Sequence, residues 1–202
     1  MANYDYLFLE LSPGAAVRAE FIRSLAAAPR APQDGRPLGV FVPQLGWAGS
    51  QAAVLIERAG DGESPAARAV AQASQAVACE RWTLVPTVRP RPGDSLSAGG
   101  IYVHRWFEVE SAAVDEFVAL SGEAWPDFEG QFDARIFGLF TATPAGEATT
   151  AGLVRLLLIT RYASHGVWED SRDPTTSAMQ TFARRAALTR RTQAASTLLA
   201  LL

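Results

Sequence analysis

Two short stretches concentrate side chains that can do chemistry. Residues 104–107 read HRWF and residues 161–172 read RYASHGVWEDSR, and together they hold both histidines of the chain, His104 and His165. A zinc or non-haem iron site would take these two imidazoles with Glu169 or Asp170 as a third ligand. A haem would need only one of them as its axial ligand. Neither site has a recognised ligand spacing behind it, and a capped histidine plus an exposed loop histidine fit the same residues. The expectation is therefore no metal and no cofactor.

The arginines offer a second chemistry. Strand residues alternate faces, so Arg155 and Arg161 share one face of the 153–162 stretch and Arg105 shares a face with Val103 and Phe107. If Arg105 and Arg161 both turn inward, two guanidinium groups meet in one cavity, and buried arginines require carboxylate partners or an anionic ligand. Asp133, Glu108 and Glu169 are the internal acids that compete for them. The ligand-binding set read from the sequence is Arg105, Arg161, Tyr162, Trp168 and His104, and its ligand is a small, anionic molecule. Trp106 and Trp125 either line the same cavity or are plain core.

Catalytic residues stay unassigned. The chain has no G-x-S-x-G and no Gly-rich loop opening a helix, and Ser164 beside His165 is adjacency rather than a dyad. Cys79, the single cysteine, has no histidine near it in sequence and reads as a buried, inert thiol.

The elements that must position these groups form two similar series. Residues 6–11, 38–43, 52–58 and 82–88 read as strands, with helices over 15–28 and 65–79. This β-α-β-β-α-β order is the ferredoxin-like unit. It recurs as strands 101–109, 134–141, 153–162 and 195–201 with helices over 111–122 and 174–191, the last opening at Asp173 as N-cap and Pro174. The local match of AEFIRSL with DEFVALS supports a duplication at an offset near 96. The expected domains are a first repeat over 1–92, a linker over 93–100 rich in Pro, Gly and Ser, and a second repeat over 101–202. Two such sheets, each with helices on one face, cover each other's bare faces by closing into an α+β barrel.

Composition sets the broad class. Of 202 residues, 49% are hydrophobic and 19% charged, with a net charge of −3, so a core is affordable and no basic field exists for nucleic acid. The doublets Arg184-Arg185 and Arg190-Arg191 read as solvated helix faces. No run is long enough to span a bilayer, the start has no basic segment of a signal peptide, and the lone cysteine suits a reducing compartment, so a cytoplasmic protein is expected. A homo-oligomer formed through exposed sheet edges is the self-association this topology allows.

The second half resembles the NIPSNAP family of the dimeric α/β-barrel group. The resemblance rests on Arg105-Trp106-Phe107, Trp125, IFGLF at 136–140, LLLITRYAS at 157–164, WEDSR at 168–172 and FARR at 182–185. It covers residues 101–200 and, more weakly, 4–90, and Leu7 stands where the first half would match Arg105. It implies the barrel fold and supplies no catalytic residue. The function it implies is a small-molecule-binding protein or an interaction module. The alternative is a cofactor-independent or haem-linked monooxygenase-like enzyme on the same barrel.

Overall fold

The structure is a computed structural model that describes residues 3–28, 31–60, 62, 64–91, 94–146 and 152–202. The first repeat runs β1 (Tyr4–Leu11), α1 (Ala15–Ala27), β2 (Arg36–Leu45), β3 (Gln51–Glu57), α2 (Pro65–Ala71) and β4 (Ala76–Pro86). The second runs β5 (Ile101–Glu110), α3 (Val114–Gln131), β6 (Ala134–Pro144), β7 (Leu153–Tyr162), α4 (His165–Asp170), α5 (Ser177–Ala186) and β8 (Thr189–Leu201). Both form the sheet order last-first-third-second, β4-β1-β3-β2 and β8-β5-β7-β6. Antiparallel pairing of β2 with β8 and of β4 with β6 joins the two sheets into one closed barrel. Closure leaves none of the eight strands with an unpaired edge, so the edges expected to serve an oligomer are used up inside the chain.

Strand alternation sorts the apolar residues into three layers. Tyr4, Tyr6, Phe41, Leu55, Trp82, Leu84, Tyr102, Phe140, Leu157 and Ile159 fill the barrel interior. Leu7, Leu9, Val54 and Ile56 face outward under α1 and α2, against Phe21, Leu25 and Val70. Val103, Phe107, Leu156, Leu158 and Tyr162 face outward under α3 and α5, against Phe117, Trp125 and Phe128. Strands β1, β3, β5 and β7 are thus apolar on both sides, and the helices shield what the barrel does not.

The helix limits differ from the sequence expectation wherever packing overrides propensity. The alanine-rich 65–79 stretch is helical only to Ala71, because residues from Ala76 onward pair with β1. Helix α3 does not stop at Gly122 but runs through it and through Pro126 to Gln131, since Leu120, Ala124, Trp125 and Phe128 bury on the sheet in that register. The expected 174–191 helix is instead two helices and the start of β8. Ser164 caps α4, Thr176 caps α5, and Asp173 accepts from the Thr175 amide in the turn between them. Strand β8 starts at Thr189 rather than 195, drawn in by pairing with β5 down to Val109. Residues 147–151, between β6 and β7, lie outside the described residues, as do residue 92 at the end of the first repeat and residue 93 of the expected linker.

Two glycines make close approaches that other residues would block. Gly100, at φ +73°, precedes β5, and a Cβ there would fall 2.2 Å from the Tyr162 carbonyl oxygen. Gly46, at φ +89°, lays the β2–β3 loop on β8, where a Cβ would come within 3.0 Å of the Ala194 carbonyl oxygen. The second contact seats Trp47 over the barrel mouth. No helix among the described residues is long and apolar enough to cross a membrane.

Candidate functional site

The barrel is plugged at one end and open at the other. Tyr4 packs edge-on against Phe137 and Phe140 at centroid distances of 6.4 and 5.4 Å, which fills the end where β5 begins. At the opposite end lies a cavity of about 490 Å³, lined by Tyr6, Phe8, Trp47, Trp82 and Trp106. Its polar rim comprises Glu80, Glu108, Arg155, Arg191 and Gln193. That volume is in the range of small-molecule pockets. The walls come from the inward positions of β1, β4 and β5: Phe8, Trp82 and Trp106 stand there because alternate residues of each strand point in.

The floor is a hydrogen-bonded pair. The Tyr6 hydroxyl and His104 Nδ1 are 3.0 Å apart across the barrel. Phe41 and Trp47 close on the imidazole at 4.4 and 5.1 Å between ring centroids. His104 is fully buried, and that burial lowers its pKa to about 3, so it is a neutral imidazole. Its Nε2 has no hydrogen-bond partner among the described residues. Burial likewise pushes the Tyr6 phenol well above its ordinary value, so it stays protonated. On the rim, Arg155 lies 5.2 Å over the Trp82 ring and 3.3 Å from Glu108, and Trp82 and Trp106 stack at 5.0 Å. The site therefore offers aromatic surface, one buried hydroxyl and a mixed-charge mouth.

The residues singled out from the sequence are divided among three places. His104 is in the barrel. Arg161 faces the same side of the sheet but at the plugged end, where it donates to the Gly99 carbonyl at 3.1 Å and pairs with Asp133 at 3.2 Å. Arg105 points the other way: it stands opposite Leu158, on the helix-facing side. The two arginines therefore do not converge, because odd-numbered positions of β5 face out while odd-numbered positions of β7 face in. Arg105 and Tyr162 do share a small cleft under α5, and Trp168 packs beside it on α4. Trp106 is the one aromatic named from the sequence that lines the barrel cavity; Trp125 is core under α3. Tyr6, Phe8, Trp47, Trp82 and Arg155 were missed. The period-two run YDYLF and the equivalence of Leu7 with Arg105, which makes Tyr6 the counterpart of His104, carried the signal for the first of them.

The histidines cannot act together, since His165 lies outside the barrel, bonded through Nε2 to Ser196 Oγ at 2.8 Å. A haem does not fit on either imidazole: His104 is walled in by aromatic rings, and His165 has its Nε2 engaged and lines neither the barrel cavity nor the cleft under α5. Among the described residues no three His, Cys, Asp or Glu side chains gather to hold a metal ion. Cys79 is half-buried, and burial pushes its thiol up, away from the reactive thiolate.

The class these features define is an α+β barrel of two ferredoxin-like repeats fused in one chain, with an aromatic-lined mouth at one end. No protein-family model and no curated protein matches the chain. Solved structures do match. A candidate monooxygenase from Lactobacillus acidophilus is 12% identical, with a TM-score of 0.62 over 99% of this chain and 96% of its own. An anthrone oxidase-like protein is 12% identical, with a TM-score of 0.63 over 98% of this chain and 91% of its own. A NIPSNAP family protein from Agrobacterium tumefaciens is 14% identical over 56% of this chain and 93% of its own, at a TM-score of 0.37. The NIPSNAP resemblance thus has a structural counterpart only at low identity and partial coverage. At these identities the likeness to the first two is one of fold.

Proposed function

We propose that the chain is a cytoplasmic small-molecule-binding protein whose ligand is planar and aromatic, seated in the open end of the barrel. The observation that carries this reading is the cavity of about 490 Å³ walled by Trp47, Trp82 and Trp106. An aromatic ligand buries its faces on these indoles, and a hydroxyl or carbonyl on its leading edge meets the Tyr6 hydroxyl. Arg155 and Arg191 at the mouth suit an acidic substituent on its trailing edge, which keeps the anionic character expected from the sequence while moving it to different arginines. A thermal-shift screen of naphthols, anthrones and hydroxyquinones tests the proposal: a specific binder raises the melting temperature, and the shift grows with ligand concentration above Kd. No shift with any planar aromatic, or an equal shift in a Trp106→Ala variant, contradicts it.

A second reading, oxygenation of that ligand without a cofactor, is favoured by the Tyr6–His104 pair. An enolisable aromatic ketone or electron-rich phenol supplies all four electrons that reduce dioxygen, so no external reductant is needed. Loss of a proton to water at the mouth gives a carbanion that adds dioxygen; the peroxide takes a proton back, and the hydroperoxide collapses to a carbonyl with release of one water. Such chemistry asks the protein for a water-poor cavity and a donor at the developing oxyanion. Tyr6, kept protonated by burial and oriented by His104, fits the donor. The likeness in fold to an anthrone oxidase-like protein is consistent with this reading. Oxygen uptake with anthrone in the absence of added flavin or metal, and its loss in Tyr6→Phe, is the measurement that separates catalysis from binding alone.

A further inference from the structure

Three guanidinium groups meet on the far side of the β5–β7 sheet from the barrel cavity, and among the described residues no carboxylate pairs with them. Arg105 comes from β5, Arg172 from the turn after α4 and Arg185 from α5, and with Tyr162 they line one cleft of about 20 Å³. Arg185, read from the sequence as part of a solvated doublet, is 4% exposed. Its Nη1 donates to Ser121 Oγ at 3.2 Å, and its head lies 4.5 to 5.2 Å from the ring centres of Phe107, Phe117 and Phe182. Its Nε has no partner among the described residues. Arg172 Nε is likewise buried without a described partner, and the Arg172 head sits 5.7 Å over Trp168. Arg105 forms no ion pair with any described carboxylate, nor do the other two. The nearby acids are engaged elsewhere: Asp127 accepts from Ser177 and Ala178, and Glu123 faces Arg184.

Aromatic faces attract a guanidinium but carry no net charge, so they leave the mutual repulsion of three cations uncompensated. That repulsion is present: burial and then the charges of Arg105 and Arg172 pull the Arg185 pKa down. Buried like charges without an acid call for an anion between them. We propose that Arg105, Arg172 and Arg185 hold a compact anion beneath α5, of the chemistry shared by chloride and small oxyanions. The cleft holds one water-sized species as it stands, since about 10–15 Å³ accommodates one water, and the slightly larger chloride fits with a small outward shift of the Arg172 head. A tetrahedral oxyanion fits if the half-buried Arg172 head swings outward. Occupancy ties β5, the α4–α5 turn and α5 together, and it is independent of the barrel ligand because the sheet separates the two sites.

Thermal unfolding of the intact chain in chloride, phosphate or acetate, at constant ionic strength set with the bulky anion gluconate, tests the site. The expected result is a rise in melting temperature that grows with the logarithm of chloride or phosphate concentration once a site of defined affinity begins to fill. Arg105→Gln and Arg172→Gln should each weaken the apparent affinity about tenfold, the loss of one charged hydrogen-bond donor. The two variants are read separately, so failure of one to fold leaves the other. A melting temperature that follows ionic strength alone whatever the anion, or an anion response unchanged in the folded variants, overturns the proposal.

Discussion

Tyr6, on the first strand of the first repeat, and His104, on the first strand of the second, lie 98 residues apart, and their side chains hydrogen-bond at 3.0 Å inside the barrel. Closure of the barrel brings these two inward positions face to face, one a phenol and the other an imidazole. The pair is the only point at which the two repeats place complementary polar groups at the base of the aromatic cavity among the described residues.

Breaking this pair on one side strands the other group. His104→Leu leaves the Tyr6 hydroxyl buried without its partner and should cost about 1–3 kcal/mol in urea unfolding. Adding Tyr6→Phe to that variant should recover part of the loss. A double-mutant cycle then gives a coupling of at least about 0.5 kcal/mol, and strict additivity would show that the bond contributes nothing.

The same histidine sets an acid limit on stability. Its pKa falls from 6.5 to about 3 on folding, through burial. Between those values the unfolded chain takes up a proton that the folded chain refuses, so stability falls as the pH drops through this window and is fully present above it. The slope from this one group is at most about 1.4 kcal/mol per pH unit. His104→Leu should flatten the pH profile of unfolding between pH 6 and pH 4, and an unchanged slope would contradict the assignment.

Outside the barrel, Asp5 is fully buried and its Oδ1 accepts from Arg58 Nη2 at 2.5 Å, while the same nitrogen reaches Thr83 Oγ1 at 2.8 Å. This contact ties β1 to β4 and to the segment after β3. Removing one charge leaves the other uncompensated, so Arg58→Met should destabilise by about 3–5 kcal/mol. Asp5→Leu combined with Arg58→Met should be milder than Arg58→Met alone; calorimetry on the three variants decides.

At the mouth, Arg155 is partly exposed and already shared with Glu108. Arg155→Ala should weaken a carboxylated aromatic ligand by about twofold to fivefold and leave its uncharged analogue unchanged. Isothermal titration of the matched pair checks this. An equal loss for both would assign Arg155 a packing role over Trp82 instead.

The element order was legible because hydrophobic period alone separates strands from helices here, and because the repeat makes each half confirm the other. Helix lengths were not, since Gly122 and Pro126 read as stops, and only the burial of Trp125 and Phe128 on the sheet carries α3 past them. The arginine site failed on parity: whether Arg105 or His104 faces the barrel depends on which side the helices cover, and one step of register reverses it. Arg185 shows the same limit, because an amphipathic helix ending in two arginines gives no sign of which one lies against Ser121. Trp47 and Arg155 belong to a wall assembled by closure of eight strands, a long-range event with no local sequence mark.

The most direct measurement is the crystal structure of the chain with a bound hydroxyanthraquinone. The ring system is expected against Trp106 and Trp82, inside the mouth formed by Trp47, with one oxygen about 3 Å from the Tyr6 hydroxyl. A ring system bound only on the outer helices, with the barrel cavity holding solvent, would contradict ligand binding in the barrel.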